Sequence, residues 1–364
     1  MSNYGLLLLL FLASLGLTLL FTPLMIKIAN RFQILSMPGK RRIHTKPVPF
    51  LGSVAIYLAF FISLFIAFNA YPQTKISFSH EIKGLFIAAT LVVLLGLWDD
   101  LKNIKPLVKL TGQISAALIL FYFGFRIEVF TSPFTGAETQ APVIFSVLFT
   151  VAWVVGLMNA MNLIDGLDGL AAGLSAIVCF TLLLIALYLN NFVTAIILII
   201  LAGSALGFLK YNFHPAKIFL GDSGSMLLGL ILAATILIKS QYKSAAAVVL
   251  LAPLTALSIP IYDTFMAILR RSLKKDSIFI ADKRHLHHRL LEFGLTQKQI
   301  VFAIYLVTLY LGVLSFLFVL LPNRYALILL FLLALGFFMG VRLIGFIERK
   351  IKLIHQLEAH QKEK

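Results

Sequence analysis

Apolar stretches of about 20 residues recur from one end of this 364-residue chain to the other, and no polar stretch between them is long enough for a soluble domain. A hydrocarbon core about 30 Å thick is crossed by roughly 20 residues of helix. The pattern predicts an all-α, polytopic integral membrane protein of about eleven spanning helices, the first at 4–25 and the last at 325–346. The spans expected at 83–98 and 225–238 are short, and the one at 245–269 is interrupted by Pro253 and Pro260. Hydrophobic residues make up 60% of the chain and charged ones only 13%, which leaves no material for a second, soluble unit. Residues 1–364 are therefore read as one integral domain, with its motifs at 36–299 and a cytoplasmic tail from about 347 to 364. The first run lacks a basic segment before it and a small-residue cleavage site after it, so a retained span is expected there.

Thirty-one Lys and Arg against fifteen Asp and Glu give a formal net charge of +16, which in a soluble protein would point to nucleic acid. In a membrane protein the same excess collects in cytoplasmic loops. Threaded through the expected spans, about 25 of the 31 basic residues fall on one side, leaving Lys75, Lys83, Arg126, Lys239, Lys243 and Arg324 on the other. The richer side is expected to be the cytoplasm, with the N-terminus outside and the C-terminus inside. No nucleic-acid partner is then required. The single cysteine, Cys179, lies in an apolar run, which excludes a disulfide framework and a cysteine zinc site and predicts a packed thiol.

The scarce acidic residues say more than the abundant basic ones. Asp99, Asp100, Asp165, Asp168 and Asp222 all fall where an expected span meets a basic loop. Any one of them alone reads as a solvated loop residue; five at one membrane level point to a shared cation or phosphate site. Trp98-Asp99-Asp100 is followed by Lys102, Lys105 and Lys109, so one carboxylate can face a metal or nucleophile while its neighbour orients a cation. Asn159, Asn162 and Asp165 recur every three residues, which stacks oxygen-bearing side chains on one helical face, and Gly166 and Gly169 then permit a sharp bend around Asp168. Hard oxygen ligands of this kind suit Mg²⁺, held by one or two protein groups plus substrate phosphates.

A third segment runs from Tyr211 through Asn212, Lys217, Phe219, Gly221 and Asp222 to Ser225. Ser223 and Ser225 are expected to cap the following helix while its first amides face an anion. In the long basic loop, Asp282-Lys-Arg284-His285-Leu-His287-His288-Arg289 lacks the spacing of a zinc site and reads as a donor of hydrogen bonds to phosphate or sugar oxygens. Lys40-Arg-Arg42-Ile-His44-Thr-Lys46, stiffened by Pro47 and Pro49, either closes over a phosphate or enforces topology against anionic lipid.

Taken in order, these motifs resemble the polyprenyl-phosphate N-acetylhexosamine-1-phosphate transferase family, and the likeness extends from about Ser36 to Gln299. That family includes undecaprenyl-phosphate N-acetylglucosamine-1-phosphate transferases of the WecA/TagO type and the phospho-N-acetylmuramoyl-pentapeptide transferase of peptidoglycan synthesis. His285-Leu-His-His288 after Ala-Asp-Lys-Arg284 looks more like the N-acetylglucosamine branch than the muramoyl branch, which carries three consecutive histidines. Ser36 stands where that branch often has Asp, Phe50 where it often has Arg, and Ser53 where it often has a second Gly.

The resemblance implies transfer of a sugar-1-phosphate, N-acetylglucosamine-1-phosphate first, from a UDP-sugar to undecaprenyl phosphate, with release of UMP. It implies the bacterial cytoplasmic membrane, an active site on its cytoplasmic face, and the first membrane step of a cell-envelope polysaccharide such as lipopolysaccharide or teichoic acid. Mg²⁺ is the expected cofactor, with Mn²⁺ as the alternative, and a homodimer is left open. Another UDP-N-acetylhexosamine or a phospho-N-acetylmuramoyl-pentapeptide is the alternative donor. On the same likeness, Asp222 and Asn162 are the metal and diphosphate ligands, and Phe219 with Gly221 is the uracil pocket. Asp99 and Asp100 stand beside the attacking carrier phosphate with Lys109 on the phosphates, and Asp165 and Asp168 support the nucleoside side or metal shell. Arg42, His44, Asn159, Asn212, His285, His287 and His288 complete the substrate contacts. A cation-coupled transporter is the competing class, but its carboxylates would sit at the midplane between repeated halves, whereas here they gather at one interface and no repeat is visible.

Overall fold

A computed structural model of the chain describes residues 3–37, 46–70, 75–131, 138–238, 252–273 and 286–321, with scattered positions from 325 to 335. Helix α1 (Asn3–Arg31) leads to a short antiparallel pairing of β1 (Leu35–Ser36) with β2 (Val48–Pro49), in which Leu35 faces Pro49. Helices α2 (Gly52–Ala70), α3 (Lys75–Lys102) and α4 (Pro106–Tyr122) follow. A second hairpin, β3 (Val129–Thr131) with β4 (Glu138–Gln140), precedes α5 (Val143–Ile164), α6 (Leu170–Tyr188), α7 (Phe192–Asn212) and α8 (Gly221–Leu237). Last come α9 (Ser258–Leu273), the short α10 (Leu286–Glu292) and α11 (Gln297–Leu320).

Seven of these helices are long and apolar enough to cross a bilayer, namely α1, α2, α3, α5, α6, α7 and α11. Two shorter apolar helices, α4 and α8, have 17 residues each, about 26 Å of rise. The spans expected at 245–269 and 325–346 fall partly or mostly outside the described residues. One expected length is corrected: the run at 83–98 belongs to a 28-residue helix. Apolar residues mark only the stretch that lipid or bundle must cover, whereas the backbone hydrogen bonds of α3 continue through His80 and Glu81 at one end and Asp99 to Lys102 at the other.

Helix α8 forms the axis. It packs against α2, α3 and α5, with further contacts to α6 and α7, and every residue from Ser223 to Thr235 is buried. Such burial on all sides explains why α8 shows no polar stripe. Helix α3 passes α8 at backbone contact, because a Cβ on Gly96 would lie 2.2 Å from the Cα of Ser223; only glycine permits this crossing. On the outside, Leu8, Leu20, Leu94, Leu148 and Leu306 project from α1, α3, α5 and α11, an apolar belt that a bilayer would cover. Because consecutive helices alternate in direction, the last turns of α1, α3, α5 and α7 and the first turns of α4, α6, α8 and α11 gather at one end of the bundle. Asp99, Asp100, Lys109, Asn162 and Asp222 all lie on those turns.

Candidate active site

At that end a cavity of about 760 Å³ opens between α8, the α5–α6 turn, the α7–α8 connector and the β1–β2 pair. Its wall includes Asp100, Asn162, Asp165, Asp168, Phe219 and Asp222. Asp99 and Lys109 lie beside it. The Lys109 ammonium is held by Asp99 Oδ2 at 2.9 Å, by Asn162 Oδ1 at 3.3 Å and by the Asp222 carboxylate. Three oxygens from three helices thus converge on one cationic nitrogen, whose own side chain is largely buried at 16% exposure. The orientation of Asn162 follows from its partner. Ser225 Oγ donates to the carbonyl of Gly221, so it accepts from Asn162 Nδ2 at 3.0 Å and turns the amide oxygen toward the cation.

Asp99 and Asp100 divide their work. Asp99 orients Lys109 and accepts from the Ile104 amide at 3.0 Å. Asp100 instead closes the N-terminus of α8: its carboxylate accepts from the amide of Asp222 at 2.8 Å, the amide of Ser223 at 3.3 Å and the Ser223 hydroxyl at 2.9 Å. Gly221, at φ +76°, makes room, since a Cβ there would approach Asp100 Oδ2 to 2.6 Å. This corrects the expected capping. Ser223 and Ser225 do not cap α8 from within, and its first amides do not face a ligand, because a carboxylate from α3 already satisfies them. Ser53, one of the departures from the family pattern, is buried behind this cap with its hydroxyl oxygen 2.8 Å from that of Ser223, which has already given its proton to Asp100. Ser36 and Phe50, the other two, line the cavity.

Asp165 ends α5 and makes no hydrogen bond or ion pair among the described residues, although it lines the cavity. Burial, and then the negative charges of Asp222, Asp100 and Asp168, hold its carboxyl well above the ordinary carboxylate range. An unpartnered carboxylate beside two paired ones is a site short of positive charge. The donors on hand are all hard oxygens, which fits Mg²⁺. Among the described residues no three Asp, Glu, His or Cys side chains close into a complete metal cage, so a bound divalent ion would draw part of its shell from water or substrate oxygens.

The remaining expected residues are placed differently. Asp168 turns onto the α7–α8 connector, where its Oδ2 meets His214 Nδ1 at 2.8 Å and accepts from the Ala216 amide at 3.1 Å. Asn212 spends its amide on the backbone, accepting from Gly169 N at 3.0 Å and donating to the Ile218 carbonyl at 2.9 Å, so it fastens the connector to the α5–α6 turn. Asn159 is not in the cavity wall; it exchanges hydrogen bonds with Gln113 of α4, one turn deeper in the bundle. Phe219 lines the cavity while its backbone continues the β2 segment, donating to Pro49 O at 2.7 Å and accepting from Gly52 N at 3.2 Å. His288 lines the cavity from α10, whose first amide, Leu286 N, is capped by Asp263 of α9 at 2.9 Å. Arg42, His44 and His285, and the side chain of His287, lie outside the described residues. Sequence reasoning missed His214 and Asp263. The first stood inside a motif already singled out, and the second carried no local signal.

The sequence profile of Glycosyl transferase family 4 matches residues 82–240, which run from within α3 to past the end of α8 and contain all five aspartates. The chain is 37% identical over 297 residues to a probable undecaprenyl-phosphate N-acetylglucosaminyl 1-phosphate transferase of Bacillus subtilis, covering 82% of this chain and 80% of the relative. It is 36% identical over 309 residues to a decaprenyl-phosphate N-acetylglucosaminephosphotransferase of Mycobacterium leprae, covering 79% and 77%. A phospho-N-acetylmuramoyl-pentapeptide-transferase of a Thermoanaerobacter species is 32% identical over 318 residues, covering 82% and 92%.

Proposed function

The chain belongs to glycosyl transferase family 4, and on that premise we propose that it transfers N-acetylglucosamine 1-phosphate from a UDP-sugar to undecaprenyl phosphate, releasing UMP. The closer likeness to the N-acetylglucosamine enzymes than to the muramoyl-pentapeptide enzyme supports that sugar. The observation that carries the chemistry is the convergence of Asp99, Asp222 and Asn162 on one cation position beside the unpartnered Asp165.

Both substrates are anionic, so the site must offset charge before they can approach each other. Asp222, Asn162 and Asp165 would hold Mg²⁺, which when bound supplies positive charge for the donor diphosphate. Lys109 faces the phosphates from the side of α4, and Asp99 holds its ammonium in place. A carrier phosphate oxygen attacks the β-phosphorus of the donor; a new phosphorus–oxygen bond forms there, and the bridging oxygen departs with UMP. A phosphate monoester with a second pKa near 6 is largely dianionic at pH 7, so no strong base is required. Asp100, whose oxygens are spent on α8, acts as a positioning residue in this scheme. By the same scheme Phe219 meets the base, and His288 of α10 meets the sugar and its phosphate. The excess of Lys and Arg in the loops of the sequence that adjoin these helix ends supports a cavity on the cytoplasmic face of a bacterial inner membrane.

The test is UMP release by the purified protein over a panel of UDP-sugars, with and without undecaprenyl phosphate and Mg²⁺. Release is expected with UDP-N-acetylglucosamine, only with both additions, and Asp222→Ala should lower it at least about 100-fold with the melting temperature retained. Full activity in Asp222→Ala would remove the metal assignment, and no release from any UDP-sugar would remove the transferase.

A further inference from the structure

The imidazole of His214 has one nitrogen committed and one open. Nδ1 lies 2.8 Å from Asp168 Oδ2, while among the described residues Nε2 has no partner, and the ring lines the cavity at 36% exposure. An ionised carboxylate can only accept, so Asp168 fixes the proton on Nδ1 and leaves Nε2 as an acceptor in the neutral ring. The backbone beneath it is held at four points: Lys217 N donates to Tyr211 O, Ala216 N to Asp168, Asn212 to Ile218 O, and Phe219 N to Pro49 O. A side chain so braced is preorganised for a ligand.

Its place in the cavity narrows the ligand. His214 shares its connector with Phe219, an aromatic residue that also lines the cavity, and planar bases are bound beside aromatic side chains. None of the contacts that tie Lys109 to Asp99, Asn162 and Asp222 reaches His214, so it stands apart from the cluster that meets the phosphates. An acceptor nitrogen in a cavity with an aromatic side chain suits a ribose hydroxyl or a base N–H. Resting on the transferase reading above, we propose that His214 binds the nucleoside half of the UDP-sugar through Nε2, with Asp168 as the residue that orients it.

The experiment uses the full-length protein in phosphatidylglycerol nanodiscs, with uridine, UMP and UDP as probes in titration calorimetry and separate KM measurements for UDP-N-acetylglucosamine and undecaprenyl phosphate. His214→Ala should weaken uridine, UMP and UDP by the same factor, about five- to ten-fold, as expected for one lost hydrogen bond. The donor KM should rise more than kcat falls, and the carrier KM should not move. His214→Gln, which keeps a hydrogen-bonding group, should recover part of the loss; if His214→Ala gives no cooperative melt, a two- to three-fold weakening in His214→Gln is the expected result. Unchanged UMP affinity in a folded variant overturns the proposal, as does a loss seen for UDP but not for uridine, or one confined to the carrier KM. His214-dependent UMP binding by a protein that turns over no UDP-sugar would uphold the contact while defeating the reaction.

Discussion

At the scale of single residues, the adjacent pair Asp99 and Asp100 shows how two identical side chains take different roles by position alone. Asp100 accepts three hydrogen bonds from α8, so replacing it acts through the fold of that helix. Asp100→Asn should destabilise the protein by about 1–2 kcal/mol, the usual worth of a helix cap, and lower kcat while leaving the shape of its pH profile unchanged. Disappearance of the acidic limb of that profile would make Asp100 a general base after all. Asp165 gives a pH dependence of definite sign. Its folded carboxyl is held above the unfolded value, so it costs nothing below about pH 4, where both states are protonated, and progressively more as pH rises toward the folded value. In metal-free protein Asp165→Asn should therefore raise the melting temperature at pH 7 by on the order of 2–4 °C and change nothing at pH 4, as read by thermal scanning in chelator. Equal melting temperatures at both pH values would count against it.

Among the elements, the contact of α3 with α8 links packing to chemistry. Gly96 lets the two backbones touch, and one turn later the same helix delivers Asp100 to the start of α8. Gly96→Ala should push the helices apart, costing about 1–3 kcal/mol, and should reduce activity more than an equally destabilising change at the far end of the bundle. A variant with normal stability and normal turnover would show that this contact positions nothing. The elements themselves were legible wherever lipid or bundle demands apolar residues on every side: the runs at 50–70 and 170–189 match α2 and α6 to within two residues. They were less legible at helix ends, where α3 and α5 run on past their apolar stretches, and in the β1–β2 and β3–β4 pairings, which are too short to show alternation. The five aspartates could be singled out because charge is rare in such a chain. The pairing of Asp100 with Ser223, of Asp168 with His214 and of Asn159 with Gln113 could not, since spacing describes only near neighbours and these partners lie 123, 46 and 46 positions apart.

For the molecule as a whole, all the described polar walls of the cavity lie at one end of a bundle whose sides are apolar, so orientation in the membrane decides which compartment supplies the nucleotide. The lone Cys179 is buried and leaves a silent background for thiol labelling. With a membrane-impermeant maleimide, Gln140→Cys in β4 should label in intact cells and Lys217→Cys in the α7–α8 connector only in inverted vesicles; the reverse result would turn the protein over. The position of α8 carries a last consequence. The helix that holds Asp222 in its first turn is ringed by its neighbours from Ser223 to Thr235, so a substitution along that stretch disturbs the entire bundle, whereas one near Lys46 on the cavity wall disturbs little else. A change in what such a cavity accepts is therefore tolerated at its rim before it is tolerated at the buried helix beneath it.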